Sequence, residues 1–173
     1  ARFKIDLVYS EHSLLPSFVD LEDQIRKNLK LNLHHSALVF LPGKSELYRV
    51  REYLANWEYP VFCMHGGISP EEQRVILDHP GPKVILSTNL LESAVTVEGV
   101  DLVIDSGLHR ILQFREGREV LSTEFISQAS ATQRMGRTGR TGPGKCIRLW
   151  SSRATLQARP RPEILRSKLT DLG

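Results

Sequence analysis

Residues 127–145 read SQASATQRMGRTGRTGPGK and concentrate the chemistry of this chain. Gln133, Arg134, Gly136, Arg137, Gly139 and Arg140 form the pattern Q-R-x-G-R-x-G-R. Arg137 and Arg140 stand three apart, so a helix through them would send both side chains from one face toward a single anion. The spaced glycines Gly136 and Gly139 would clear the approach. Guanidinium is a permanent cation whose planar donor fork matches phosphate oxygens, and an arginine set against a transferring phosphoryl group contributes roughly 10³ to 10⁵ in rate. A solvated basic turn or a plain RNA-backbone patch would use the same arginines; the glutamine and the two glycines weigh against both.

Three other places offer side chains for binding. Thr88 and Asn89 follow an apolar run, where a hydroxyl, an amide and free backbone N–H groups at a strand end can grip a phosphate; a helix cap is the plainer use. His65, followed by Gly66 and Gly67, ends another run and is either a nucleic-acid contact or a loop histidine with a structural hydrogen bond. Gly43, Lys44 and Ser45 resemble the end of a phosphate-binding loop, but that motif needs a glycine where Leu38 stands.

The elements that must carry these residues are legible in the apolar spacing. Residues 3–8 alternate as a short strand, with Phe3, Ile5 and Leu7 against Lys4 and Asp6. Phe18, Leu21, Ile25 and Leu29 recur at helical spacing, as do Leu47, Val50, Leu54 and Trp57. Residues 37–41, 61–64 and 83–86 are continuous apolar runs of the kind that strands buried on both faces require, and 145–150 reads as a last strand. Ser69, Pro70 and Glu72 mark a helix start. Residues 111–126 read as a hairpin about Arg115, Glu116, Gly117 and Arg118. Four or five strand-then-helix units predict an α/β fold, a parallel sheet sandwiched by helices with an inserted β-hairpin, whose ligands gather at the carboxyl ends of the strands.

Composition sets the bounds. With 173 residues and 40% hydrophobic content the chain fits one domain with its own core. The 23 Lys and Arg against 20 Asp and Glu leave a net charge of only +3, so any nucleic-acid surface must be local. Cys63 and Cys146 lie far apart in apolar surroundings, which suits buried free thiols and an intracellular, reducing compartment, cytoplasm or nucleus. No apolar run approaches the roughly 18 residues of a membrane span, and the start ARFKIDLVYS lacks the layout of a signal peptide. The abrupt ends read as those of a fragment.

Residues 127–149 resemble motif VI of superfamily 2 helicases, most closely that of the DEAH-box RNA helicases, which begins S-x-A-S-x-x-Q-R and runs into P-G-K-C-x-R-L; Pro143, Gly144, Lys145, Cys146, Arg148 and Leu149 stand here in that order. Residues 87–96 resemble motif V of that family, 99–107 its G-I-x-x-V-I-D-S-G segment, and the stretch from Leu38 its L-V-F-L-P-G-x-x-E segment. The resemblance implies the second RecA-like lobe of an ATP-dependent RNA helicase. Gln133 would place the attacking water, Arg137 and Arg140 would contact the γ-phosphate of ATP, and Thr88 and Asn89, with His65 nearby, would hold RNA backbone. Gly136, Gly139, Asp105 and Gly107 would support the nucleotide side. Mg²⁺ would be held mainly by a first RecA-like lobe, since neither a P-loop nor a D-E-A-H motif occurs here, and this chain alone would not hydrolyse ATP.

The resemblance further implies a RecA-like domain over 1–152 and a linker over 153–173 toward a winged-helix region. The parent chain and RNA are the partners, with room for a protein activator. The hairpin is either a projecting element that helps to separate strands or an edge that closes the sheet. Two positions depart from the pattern: Ala94, where the family has a serine thought to sense the γ-phosphate, and Ile76, where it often has an aromatic against the adenine. A degenerate lobe serving as an RNA or protein binding scaffold is the alternative function. An unrelated nucleotide-binding α/β enzyme is a third reading, without a G-x-G-x-x-G turn to support it; a viral helicase of related type also fits the motif.

Overall fold

The computed structural model describes residues 3–10, 18–93, 96–154 and 156. Its strands are β1 Ile5–Tyr9, β2 Ser36–Phe40, β3 Val61–Met64, β4 Val84–Ser87, β5 Val100–Asp105, β6 Leu108–Arg115, β7 Arg118–Phe125 and β8 Gly144–Arg148. The helices are α1 Phe18–Asn32, α2 Lys44–Tyr53, α3 Pro70–Asp78 and α4 Gln128–Met135, with a short 3₁₀ turn at Asn89–Leu91. Six strands form one parallel sheet in the order β1-β8-β5-β2-β4-β3. This is the expected RecA-like α/β sandwich.

The central strands need continuous apolar runs because successive residues feed opposite layers. Ala37, Val39, Val84, Leu86, Leu102 and Ile104 pack in one layer with Leu21, Ile25 and Leu29 of α1 and Leu47 and Val50 of α2. Leu38, Phe40, Ile85, Val103 and Cys146 point the other way and join Ile76 of α3 and Met135 of α4. The outer strands differ. β1 alternates half-buried Ile5, Leu7 and Tyr9 with exposed Asp6 and Val8, and Phe3 stands before it. β3, expected to be buried on both faces, is the opposite edge, and its Val61 and Phe62 are only half-buried.

Capping follows the sequence. Ser69 Oγ accepts from the Glu72 N–H at 3.1 Å, with Pro70 in the first helical turn of α3. Lys83, read as the start of a strand, instead closes the far end of that helix. Its buried Nζ donates to the carbonyls of Ile76, Leu77 and His79 at 2.9 Å each, satisfying acceptors that the helix leaves open. Cys63 and Cys146 are free and buried, and burial pushes their thiols up to about 11 and about 12.

Parallel pairing places all the carboxyl ends of the strands on one edge. Phe40 lies beside Ser87 and Asp105, Met64 beside Ser87, and Asp105 beside Arg148. β6 and β7 leave that edge as a separate antiparallel ribbon, paired with each other from Leu108↔Phe125 to Arg115↔Arg118 and turned at Glu116 and Gly117, both left-handed. The hairpin pairs with no strand of the six-stranded sheet and so does not close it. Its base is held by the Ile126 N–H to the Gly107 carbonyl at 2.9 Å and by Arg110 paired with Glu46 at 3.0 Å.

Candidate functional site

α4 begins at Ser127, whose Oγ accepts from the Ser130 N–H at 3.1 Å, and ends at Met135. Arg137 and Thr138 then donate their N–H groups to the Arg134 and Met135 carbonyls at 3.1 and 3.3 Å, a tightened final turn. Arg137 and Arg140 therefore leave the backbone from a turn, which corrects the expectation of a shared helical face. Gly139, at φ 75°, is where a right-handed helix cannot continue. Buried Thr138 donates its hydroxyl to the Val100 carbonyl at 2.6 Å, and the Phe3 N–H donates to the Gly139 carbonyl at 3.0 Å. The turn is thus pinned to the sheet at two points.

The two arginines differ in exposure but sense each other's charge. Burial first, and the positive charge of Arg140 second, hold Arg137 below its usual pKa. Arg140 is exposed, and its Nε donates to the Gly136 carbonyl at 2.9 Å. Gln133 is exposed on α4 just before them. The two glycines differ from each other. A Cβ on Gly136 would meet the Thr132 carbonyl at 3.4 Å, an ordinary contact, whereas Gly139 is required by its backbone.

Arg134 behaves in the opposite way, and sequence reasoning assigned it no role. Its side chain has no exposed surface. Nε donates to Glu92 Oε1 at 2.9 Å and Nη1 to Asp105 Oδ1 at 2.8 Å, while both terminal nitrogens reach the Leu108 carbonyl at 3.3 Å. Its guanidinium carbon lies 4.8 Å from the centre of the Phe40 ring. Ser130, on the same helix, donates to the second oxygen of Glu92 at 2.7 Å. No local signal pairs it with these acids, since Glu92 and Asp105 stand 42 and 29 residues away in sequence.

Asp105, expected near the nucleotide, has no exposed surface, and its Oδ1 accepts from the Gly107 N–H at 2.8 Å as well as from Arg134. Gly107 is doubly constrained: its φ is 77°, and a Cβ there would lie 2.6 Å from Cε3 of Trp150. Thr88 and Asn89 sit at the end of β4, half-buried and exposed, and among the described residues neither side chain has a hydrogen-bond partner. His65 is buried. Its Nδ1 accepts from the Gly67 N–H at 3.0 Å, which leaves the proton on Nε2, 3.0 Å from the Tyr48 hydroxyl. Ile76 is 8% exposed and belongs to the core layer under α3. Ala94 and residues 157–173 lie outside the described residues.

A cleft of about 820 Å³ lies at the amino ends of the strands, lined by His35, Asp78, Lys83, Glu98 and Gly99 among others. It is on the opposite edge from Thr88 and Asp105. Among the described residues no group of three or more His, Cys, Asp or Glu could hold a metal ion, and no helix is long and apolar enough to cross a membrane.

Known proteins share the sequence pattern and the fold. The family model "Helicase conserved C-terminal domain" matches residues 20–142. The chain is 42% identical over 149 residues to the ATP-dependent RNA helicase HrpB of Escherichia coli, covering 79% of this chain and 18% of that protein. It is 40% identical over 156 residues to RNA editing associated helicase 2 of Trypanosoma brucei brucei, covering 79% and 7%. The crystal structure of the Escherichia coli DEAH/RHA helicase HrpB superposes with a TM-score of 0.81 at 32% identity, over 99% of this chain and 24% of that one. The chain belongs to the helicase C-terminal domain family and is a C-terminal lobe of the DEAH-box type. It spans less than a fifth of the length of these curated relatives.

Proposed function

We propose that this chain is the second RecA-like lobe of an ATP-dependent RNA helicase, supplying Arg137 and Arg140 to the γ-phosphate of ATP and Thr88 and Asn89 to the RNA backbone. The observation that carries the reading is the pinned turn. It holds half-buried Arg137 and exposed Arg140 a few residues after exposed Gln133, in a lobe whose carboxyl edge also presents Thr88 and Asn89.

ATP fits the donors present. Two planar cations suit the charge that spreads over phosphoryl oxygens during transfer, and exposed Gln133 would orient a water beside them. Gly136 and Gly139 shape the turn, while Asp105 and Gly107 fix the adjoining strand end. Mg²⁺, which neutralises developing phosphate charge when bound, would be held mainly by a first lobe that this chain lacks. Thr88 and Asn89 offer sequence-independent contacts to RNA, with buried His65 supporting that edge through its two hydrogen bonds. Residues 1–152 form the lobe and 153–173 lead toward a winged-helix region of the parent. Free Cys63 and Cys146 suit a reducing intracellular compartment.

The test is ATP turnover of the full-length parent with and without RNA, beside this chain alone. RNA-stimulated turnover by the parent and none by the lobe is the expected result. Turnover by the lobe alone that Mg²⁺ removal and Arg137→Ala both abolish would overturn the half-site reading. A parent that binds RNA without hydrolysing ATP would instead be a binding scaffold.

A further inference from the structure

Arg134 cannot be a ligand contact, because every donor it has is turned inward and its side chain has no exposed surface. Its partners nevertheless belong to three separate working parts. Glu92 follows Thr88 and Asn89 on the same short segment, and its N–H donates to the Asn89 carbonyl at 3.0 Å. The Leu108 carbonyl belongs to the first residue of the β6–β7 hairpin and lies 3.3 Å from both terminal nitrogens of Arg134. The Arg134 carbonyl itself accepts the Arg137 N–H at 3.1 Å. From the RNA-facing segment to the phosphate-facing turn the path is therefore an unbroken set of bonds between 2.9 and 3.1 Å.

We propose that Arg134 is a positioning residue that couples the 88–93 segment, the 136–140 turn and the base of the β6–β7 hairpin, with Glu92 as the link to the RNA side. This rests on the reading of Arg137 and Arg140 as phosphate contacts and of Thr88 and Asn89 as RNA contacts. The physical reason is desolvation. A buried guanidinium tolerates no geometry in which its carboxylates are lost, because an unpaired buried charge is far costlier than the pair is favourable. The network therefore shifts as a unit or not at all. A displacement of the 88–93 segment by RNA must carry α4 with it, and α4 carries the arginines. Ser130 reinforces the same link by holding the second oxygen of Glu92.

The test uses the full-length parent with Glu92→Gln and Arg134→Lys. Glutamine keeps the bulk and can still accept from Ser130, but it removes the charge that answers Arg134, so this variant stays folded if the lysine variant does not. Three quantities are read: melting temperature, ATP turnover with and without RNA, and hydrogen exchange of peptides covering 88–93 and 108–112. The expected result for Glu92→Gln is retained basal turnover and a stimulation by RNA that falls at least about fivefold, the lower end of ordinary coupling between sites. Exchange should quicken in both peptides together. A stimulation ratio equal to the wild type, or basal and stimulated turnover falling by one common factor in step with melting temperature, overturns the proposal. If the wild-type parent hydrolyses ATP without any response to RNA, the RNA reading of Thr88 and Asn89 fails, and joint or separate quickening of the two peptides still decides whether Arg134 couples them.

Discussion

The helical and the non-helical halves of one motif treat the same residue type in opposite ways. In α4, Arg134 is drawn wholly into the interior and shared between Glu92, Asp105 and the Leu108 carbonyl; in the turn that follows, Arg137 is half-buried and Arg140 exposed. The boundary between them is the end of the helix at Met135 and the left-handed Gly139. An arginine three residues from its neighbour thus becomes either a buried, carboxylate-paired cation or one that reaches solvent, according to which side of the boundary it stands. Spacing alone does not separate the two.

The most forceful way to break this comparison is to remove the anchored arginine. Arg134→Met should destabilise the lobe by about 3–5 kcal/mol, because Asp105 would keep a buried charge without its partner. Arg140→Ala, on an exposed side chain, should change stability by less than about 0.5 kcal/mol. Denaturant unfolding of the lobe compares them directly, and similar losses for both would erase the distinction. Activity should respond in reverse. Arg137→Lys in the parent keeps the charge but loses the planar fork, so ATP turnover should fall at least about tenfold with no change in melting temperature. A loss of turnover that merely follows a loss of stability would return Arg137 to the structural group. Gly139→Ala sharpens the boundary itself. The left-handed backbone there should cost about 1 kcal/mol or somewhat more with alanine, and turnover should fall because the turn no longer aims Arg137 and Arg140.

How far the sequence could be read follows the same divide. The layers of the sheet were legible because runs such as residues 37–41 and 83–86 need two apolar faces, and the helix starts because Ser69 and Pro70 cap in a local way. Edge position was not legible: Val61 and Phe62 look like any buried run, and only the order of the strands places them at the rim. The hairpin and its turn were legible, but not whether it joined the sheet, nor its start at Leu108, where the carbonyl meets Arg134 from α4. Arg134 itself was hidden because its partners lie 26 to 42 residues away in sequence. Lys83 was hidden for a related reason, since a lysine at a strand start gives no sign of the three helix carbonyls it will cap. Local chemistry shows in the sequence, whereas long-range neutralisation of buried charge does not.

The smallest expected effect concerns the other pair that the sequence grouped together, His65 and Thr88, at neighbouring strand ends. His65 is anchored in the manner of Arg134, with both ring nitrogens bonded, while the Thr88 hydroxyl has no partner among the described residues. Burial, helped by the positive charge of Lys44 and opposed by Glu72, holds the pKa of His65 below its ordinary value. The folded state thus favours the neutral ring, whose Nδ1 must stay unprotonated to accept from Gly67. As pH falls the unfolded chain takes up the proton first. The contribution of this residue to stability is therefore complete above about pH 6.5 and is lost as pH drops through that value and the lower folded pKa. The loss should be at most about 1 kcal/mol, the scale of the hydrogen bond at risk. His109, held down by burial and then by Arg134, adds a slope of the same sign. Melting temperature of the lobe between pH 7.5 and 5.5 is the measurement. His65→Gln should flatten part of the fall and leave the share due to His109, while RNA affinity of the parent at pH 7.5 stays as it was. A weakened grip on RNA with an unaltered pH response would move His65 from the anchored class to that of Thr88.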